Sequence, residues 1–194
     1  MKIGIDIDNV ITNTTETVLH YINARLPDVH LKMADVKEYW MEKIMPAGYG
    51  WIVPQAFSDK EMWKKVSMID GAAEYIEKLF EQGNEIYFVT STTPDNIRKK
   101  IKYLCRNLRL PDDYICNHFI NIVNKQLLNL DVLVDDYLDN LLGGRDYFSI
   151  CLDYPWNRNK ADDGSFKRVY NWREIYDTIV ELYPIYGNWN CRLP

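Results

Sequence analysis

Apolar and polar positions change their spacing several times along the chain, and these changes outline a fold. Residues 3–7, IGIDI, read as a first strand. TETVLHYINARL then places Val18, Leu19, Ile22 and Leu26 at helical spacing, until Pro27 and Asp28 interrupt it. ADVKEYWMEKIM reads as a second helix with Asp35 as its N-cap, and PAGYGWIVP as a loop punctuated by Gly and Pro. SDKEMWKKV is a third helical stretch, capped by Ser58. No second strand is predicted between residues 14 and 70.

The pattern changes at residue 71. GAAEYIEKLFEQG is an amphipathic helix with Ala72, Ile76, Leu79 and Phe80 on its apolar side, closed by Gly83. EIYFVT (85–90) is a β-branched and aromatic strand, and PDNIRKKIKYLCRNL is a helix opened by Pro94. Its basic residues Arg98, Lys99, Lys100 and Lys102 read as a solvated face. YICNHFINI is a weak strand region, DVLVDD (131–136) and YFSICLD (147–153) are buried strands, and NWREIYDTIVELY is the last long helix. Strands alternating with helices of this length predict βαβ units, hence an α/β fold with a doubly wound parallel sheet. The core is assigned to residues 1–13 and 71–194, with a helical insertion over 14–70.

Composition narrows the partners. A net charge of −5 without a long basic run argues against a nucleic-acid polymer, whose phosphates call for clustered Lys and Arg. No apolar run approaches the roughly 18 residues of a membrane span, and the chain enters a strand without a charged-then-apolar leader. Cys105, Cys116, Cys151 and Cys191 form no CxxC pair, and read as reduced thiols in a cytoplasmic protein.

Ligands of open α/β sheets bind outside the carboxyl ends of the strands, so what ends each strand matters. The first strand ends in Asp6 and Asp8, and the 85–90 strand in Thr90, followed by Ser91. Lys125 lies in the approach to the next helix, and the 131–134 strand ends in Asp135 and Asp136. Singly these have plain readings: an N-cap for the Asp135 pair, turn residues for Thr90 and Ser91, a solvated Lys125. Together they put four carboxylates, hydroxyls and an ammonium on one edge. An ionised carboxylate taken out of water costs several kcal/mol unless paired, and neighbouring carboxylates repel each other. An all-oxygen set of this kind suits Mg²⁺ together with a phosphate group. Aspartate can attack phosphorus to give an aspartyl phosphate, and a second carboxylate can serve as general acid and base.

These residues resemble the motifs of the haloacid-dehalogenase-like phosphatases. Asp6-Ile7-Asp8-Asn9-Val10 is similar to the first motif, D-x-D-x-[TV], and Thr90-Ser91, Lys125 and Asp135-Asp136 to the second, third and fourth, in order. SMIDGAAEYIEKL, FVTSTTP, LVDDYLDNL and CLDYPWNR resemble segments of the 5'(3')-deoxyribonucleotidases, although the lead-in proline of that family is absent. Asn9 stands where many members have Gly, a change expected not to touch the catalytic chemistry. The resemblance implies Asp6 as nucleophile and Asp8 as general acid/base. Asp6, the Asp8 backbone carbonyl and one of Asp135 and Asp136 would hold Mg²⁺, with Asp136 favoured as the direct ligand. Thr90, Ser91 and Lys125 would grip the phosphate, and the 14–70 insertion would be a small cap that selects the substrate. Tyr39, Trp40, Tyr49, Trp51 and Trp63 are its aromatics, and the 48–51 loop, with Tyr49 and Trp51, is the expected base contact.

The expected function is Mg²⁺-dependent hydrolysis of nucleoside 5'-monophosphates, deoxyribonucleotides first. The alternatives are a phosphatase of another small metabolite such as a sugar phosphate, a non-catalytic phosphate-binding protein and a receiver-like phosphoacceptor. A homodimer stays open.

Overall fold

The computed structural model describes residues 1–142, 147–160 and 163–186. Six parallel strands, β1 (Lys2–Asp6), β2 (Glu85–Thr90), β3 (Phe119–Asn121), β4 (Val132–Asp135), β5 (Phe148–Leu152) and β6 (Lys167–Val169), form one sheet in the order β3-β2-β1-β4-β5-β6. The apolar runs explain its centre. Ile5 of β1 lies opposite Phe88 on one side and Val134 on the other. Successive residues of β4 face opposite ways, with Val132 and Val134 in one apolar cluster and Leu133 in another, so the sheet is covered on both faces. The chain runs outward from β1 through β2 to β3 and returns to β4 on the other side of β1. The order reverses there, and the crevice beyond Asp6 and Asp135 is where such a sheet binds ligands.

Nine helices of the described residues include α1 (Thr14–Arg25), α2 (Ile52–Ser58), α3 (Lys60–Trp63), α4 (Ala72–Glu81), α5 (Pro94–Asn107), α6 (Asp112–Asn117), α7 (Leu138–Leu141) and α8 (Trp172–Glu181). Ile76 and Leu79 of α4 and Trp172, Ile175 and Ile179 of α8 pack in the same cluster as β1. Gly83, at φ 81°, ends α4 in the left-handed conformation that suits a residue without Cβ.

Several boundaries differ from the sequence reading. ADVKEYWMEKIM is not an α-helix but two 3₁₀ turns, Met33–Asp35 and Met41–Ile44. Asp35 does not open a helix; its carboxylate accepts the Lys32 N–H at 2.8 Å and closes the first turn. Between the turns Tyr39 stacks on Tyr137, a tertiary contact of the kind that overrides helix propensity. α2 begins at Ile52, inside the expected loop, with Pro54 in its first turn, where its missing N–H costs little. Ser58 closes α2, and the neighbouring Asp59 caps α3 by accepting the Glu61 N–H at 2.7 Å. YICNHFINI divides into the end of α6 and β3, and the three-residue β6 was missed.

Residues 14–70 contain only helices, 3₁₀ turns and loops, apart from an isolated bridge between Thr12 and Met68. Val18, Ile22, Val36, Met41, Ile52 and Met62 form an apolar cluster of this segment, with Trp156 of the core packed into it. The two ends of the segment are tied together: Asn13 donates its N–H to the Ser67 carbonyl at 3.0 Å, and Ile69 to that of Ile11 at 2.9 Å.

Candidate active site

Asp6 ends β1 and Asp135 ends β4, side by side, so their carboxylates meet at one sheet edge. With Asp136 they form a buried trio whose ligand atoms all lie within 4.8 Å of one another. Lys125 does not lead into an α-helix; it opens a 3₁₀ turn between β3 and β4 and is fully buried. Its ammonium donates to Asp6 and, at 2.7 Å, to Asp135 Oδ2. Asp135 also accepts the Tyr137 N–H on Oδ1 at 2.9 Å and the Asn140 amide on Oδ2 at 3.0 Å, so both of its oxygens are engaged by the chain. Asp136 accepts from Asn9 Nδ2 at 3.2 Å and Trp156 Nε1 at 3.1 Å, both on Oδ2.

Asp8 lies outside the trio. Its Oδ1 accepts the Thr14 hydroxyl at 2.7 Å, and its Oδ2 accepts from the ammonium of Lys100. Lys100 also donates to Thr90 Oγ1 at 2.8 Å. The expected solvated face of α5 is therefore wrong at this position, since Lys100 is 1% exposed. Ser91 follows Thr90 and is exposed.

The electrostatics express a surplus of negative charge. Burial, followed by the charges of Asp135 and Asp8, pushes the Asp6 carboxyl up to about 7 although Lys125 pulls the other way. Asp136 is raised well above the usual carboxylate range, by burial first and then by Asp135 and Asp6. Burial alone would lower Lys125, but Asp135 and Asp6 outweigh it and raise the ammonium. Four carboxylates against two ammoniums leave two negative charges, which one divalent cation would offset. Asp6 and Asp136 are the residues with carboxylate oxygens best placed to hold it, because Asp135 already has chain donors on both of its own.

A cleft of about 600 Å³ is lined by Tyr39, Trp40, Tyr137 and Trp156 together with Glu38, Lys43 and Asp139; none of the trio lines it, and Trp156, through its bond to Asp136, links the two. The Tyr39 and Tyr137 rings stack with centres 3.7 Å apart, and the Tyr39 phenol is raised by burial and then by the charge of Asp136. Tyr49 and Trp51 are exposed and do not line this cleft.

Family membership is settled by the breadth of one match. The model described as "5' nucleotidase, deoxy (Pyrimidine), cytosolic type C protein" covers residues 1–183. The chain belongs to this family. A nucleotidase of Clostridium acetobutylicum is 26% identical over 197 residues, covering 94% of this chain and 95% of that protein. Among solved structures, a haloacid dehalogenase-like protein of Agrobacterium tumefaciens aligns with a TM-score of 0.65 at 12% identity, over 95% of this chain and 98% of its own. A haloacid-dehalogenase-family hydrolase of Deinococcus radiodurans, crystallised with phosphate and sodium, aligns with a TM-score of 0.62 at 13% identity, over 93% and 95%. These two likenesses show the fold. The chain is a nucleotidase-family phosphoric monoester hydrolase on a haloacid-dehalogenase-like α/β fold.

Within this nucleotidase-family site, sequence reasoning missed Lys100, Asn9, Asn140 and Trp156. Lys100 left a readable trace: Asn96, Lys100 and Leu104 are the buried positions of α5 at i, i+4 and i+8, so the lysine sits in line with an apolar residue. The others are amide and indole donors, which carry no signal until the fold brings them to a carboxylate.

Proposed function

We propose that this chain hydrolyses nucleoside 5'-monophosphates, deoxyribonucleotides first, with Mg²⁺ and through an aspartyl phosphate on Asp6. The observation that carries the reading is the buried trio of Asp6, Asp135 and Asp136 beside Lys125 and the Lys100–Thr90 pair, at the edge where the sheet binds ligands. The donor set fits the metal, being all oxygen, crowded and short of positive charge. Asp6 and Asp136 would hold it, and when bound it would supply the charge that lets these carboxylates and a phosphate share one site.

Asp6 attacks phosphorus through a carboxylate oxygen, forming the phosphorus–oxygen bond of the acyl phosphate as the bond to the ester oxygen breaks. Asp8 delivers its proton to the leaving nucleoside oxygen. In the second step Asp8 takes a proton from water as the water oxygen attacks phosphorus, which releases phosphate and restores Asp6. Lys125 neutralises charge on the phosphoryl oxygens, and the Thr90 and Ser91 hydroxyls donate hydrogen bonds to them. Residues 14–70 act as the cap, and its Tyr39, which feels the charges of Asp136 and Asp6, brings a ring to the carboxylates. A cleft of about 600 Å³ falls in the range of about 300–1,000 Å³ usual for small-molecule sites. The matching 5' nucleotidase family and the Clostridium nucleotidase support the nucleotide as substrate.

Acid-quenching an Asp8→Asn variant during turnover tests the covalent step. Phosphate recovered on the Asp6 peptide by mass spectrometry supports it. Turnover by the wild type with no phosphorylated peptide from either protein contradicts it.

A further inference from the structure

Asn9 is the one non-glycine residue with positive φ, 59°, among the described residues. Glycine adopts this conformation without a Cβ penalty, and asparagine is the side chain that tolerates it best. Here the asparagine uses both ends of its amide. The Thr15 N–H can only donate, so the atom 2.9 Å from it is the carbonyl Oδ1. This fixes the amide, and Nδ2 donates to Asp136 Oδ2 at 3.2 Å, across 127 residues of sequence. The residue is 8% exposed. Asn in place of Gly thus puts a donor on the carboxylate favoured as metal ligand.

Asn9 also does work that the local sequence does not. Asn13, at the N-cap of α1, gives that helix no side-chain cap. Its Oδ1 instead accepts the Ser67 N–H at 2.8 Å and the Thr17 hydroxyl at 3.1 Å. Asn9 thus reaches the first turn of α1 from outside the helix, and one amide joins the opening of the 14–70 segment to Asp136. Trp156 Nε1 bonds the same oxygen as Asn9, at 3.1 Å, so among the described residues both donors to this carboxylate fall on Oδ2 and none on Oδ1.

We infer that Asn9 is a positioning residue for the cation site, holding Asp136 by Oδ2 so that Oδ1 is presented to Mg²⁺. The inference rests on the metal-dependent reading of this site. It does not make Asn9 a ligand, because its amide oxygen is turned to Thr15. Partners of metal ligands commonly change metal affinity about 10–100-fold when removed.

The test is calorimetric titration of the full chain with Mg²⁺ alone, for wild type, Asn9→Gly and Trp156→Phe. Asn9→Gly keeps the backbone conformation and removes the amide; Trp156→Phe keeps a ring and removes the other donor. Each is expected to weaken Mg²⁺ binding about tenfold, and for Asn9→Gly, at a position that does not line the cleft, the KM for substrate at saturating Mg²⁺ should stay within about twofold. Asn9→Gly with the wild-type Mg²⁺ affinity would overturn the inference while the metal reading stands. Wild-type protein that gives no Mg²⁺ binding would overturn both. If Asn9→Gly raises the KM at saturating Mg²⁺ and leaves the metal affinity unchanged, the residue serves the substrate through α1 and the inference is likewise overturned.

Discussion

Replacing Lys100 by methionine separates catalysis from folding. The ammonium is enclosed, with its side chain 1% exposed, and donates to Asp8 and Thr90. Hydrogen bonds to a charged group are worth about 1.5–3 kcal/mol each. Both are made to groups that act on the phosphoryl centre, so a loss of about 3–4 kcal/mol in the transition state corresponds to roughly 10²–10³-fold in kcat. Stability should respond differently. Asp8 is 26% exposed, so water can reach the oxygen that Lys100 leaves. The buried ammonium carries a desolvation cost that methionine, of similar shape, does not. The expected signature is a fall in kcat of about two to three orders of magnitude with a melting temperature within a few degrees of wild type. Steady-state phosphate release at saturating Mg²⁺ and thermal melting by circular dichroism measure the two quantities. A kcat within about threefold of wild type would refute the reasoning. So would a collapse in melting temperature that accounts for the lost activity.

Two further outcomes follow from packing and burial. A Cβ at Gly4 would stand 2.5 Å from Leu130 Cδ1 and 3.2 Å from Leu133 Cδ1. Gly4→Ala should therefore destabilise by about 1–3 kcal/mol, seen as a lower midpoint in urea with an unchanged slope. Burial first pushes the Cys151 thiol up to about 12, so at pH 8 it stays protonated and shielded, whereas Cys116 is exposed. Iodoacetamide at pH 8 followed by peptide mapping should label Cys116 in the folded protein and reach Cys151 only after denaturation.

The parts of the fold legible in the sequence were those where one physical signal acted alone. β2 was readable to its ends because its apolar run is bounded by Gly83 and Asn84 on one side and a hydroxyl cluster on the other. α5 was readable because Pro94 marks its start. The 3₁₀ turns at 33–35 and 41–44 were not, since ADVKEYWMEKIM has helical composition and carries no local sign of the contact that Tyr39 makes with Tyr137. β6 was too short, at three residues, for a period of two to register. At the site, carboxylates announced themselves by sitting at strand ends. Lys100 was obscured by its basic neighbours, and Asn9 because an amide gives no sign of its partner until the fold brings Asp136 to it.

The central claim is most directly tested by phosphate release from deoxyribonucleoside monophosphates, ribonucleoside monophosphates and sugar phosphates, with Mg²⁺ and with EDTA, beside an Asp6→Asn control. The account predicts release from dUMP or dTMP above the sugar phosphates, lost in EDTA and lost in Asp6→Asn. Release that persists in EDTA, or in Asp6→Asn, would contradict it.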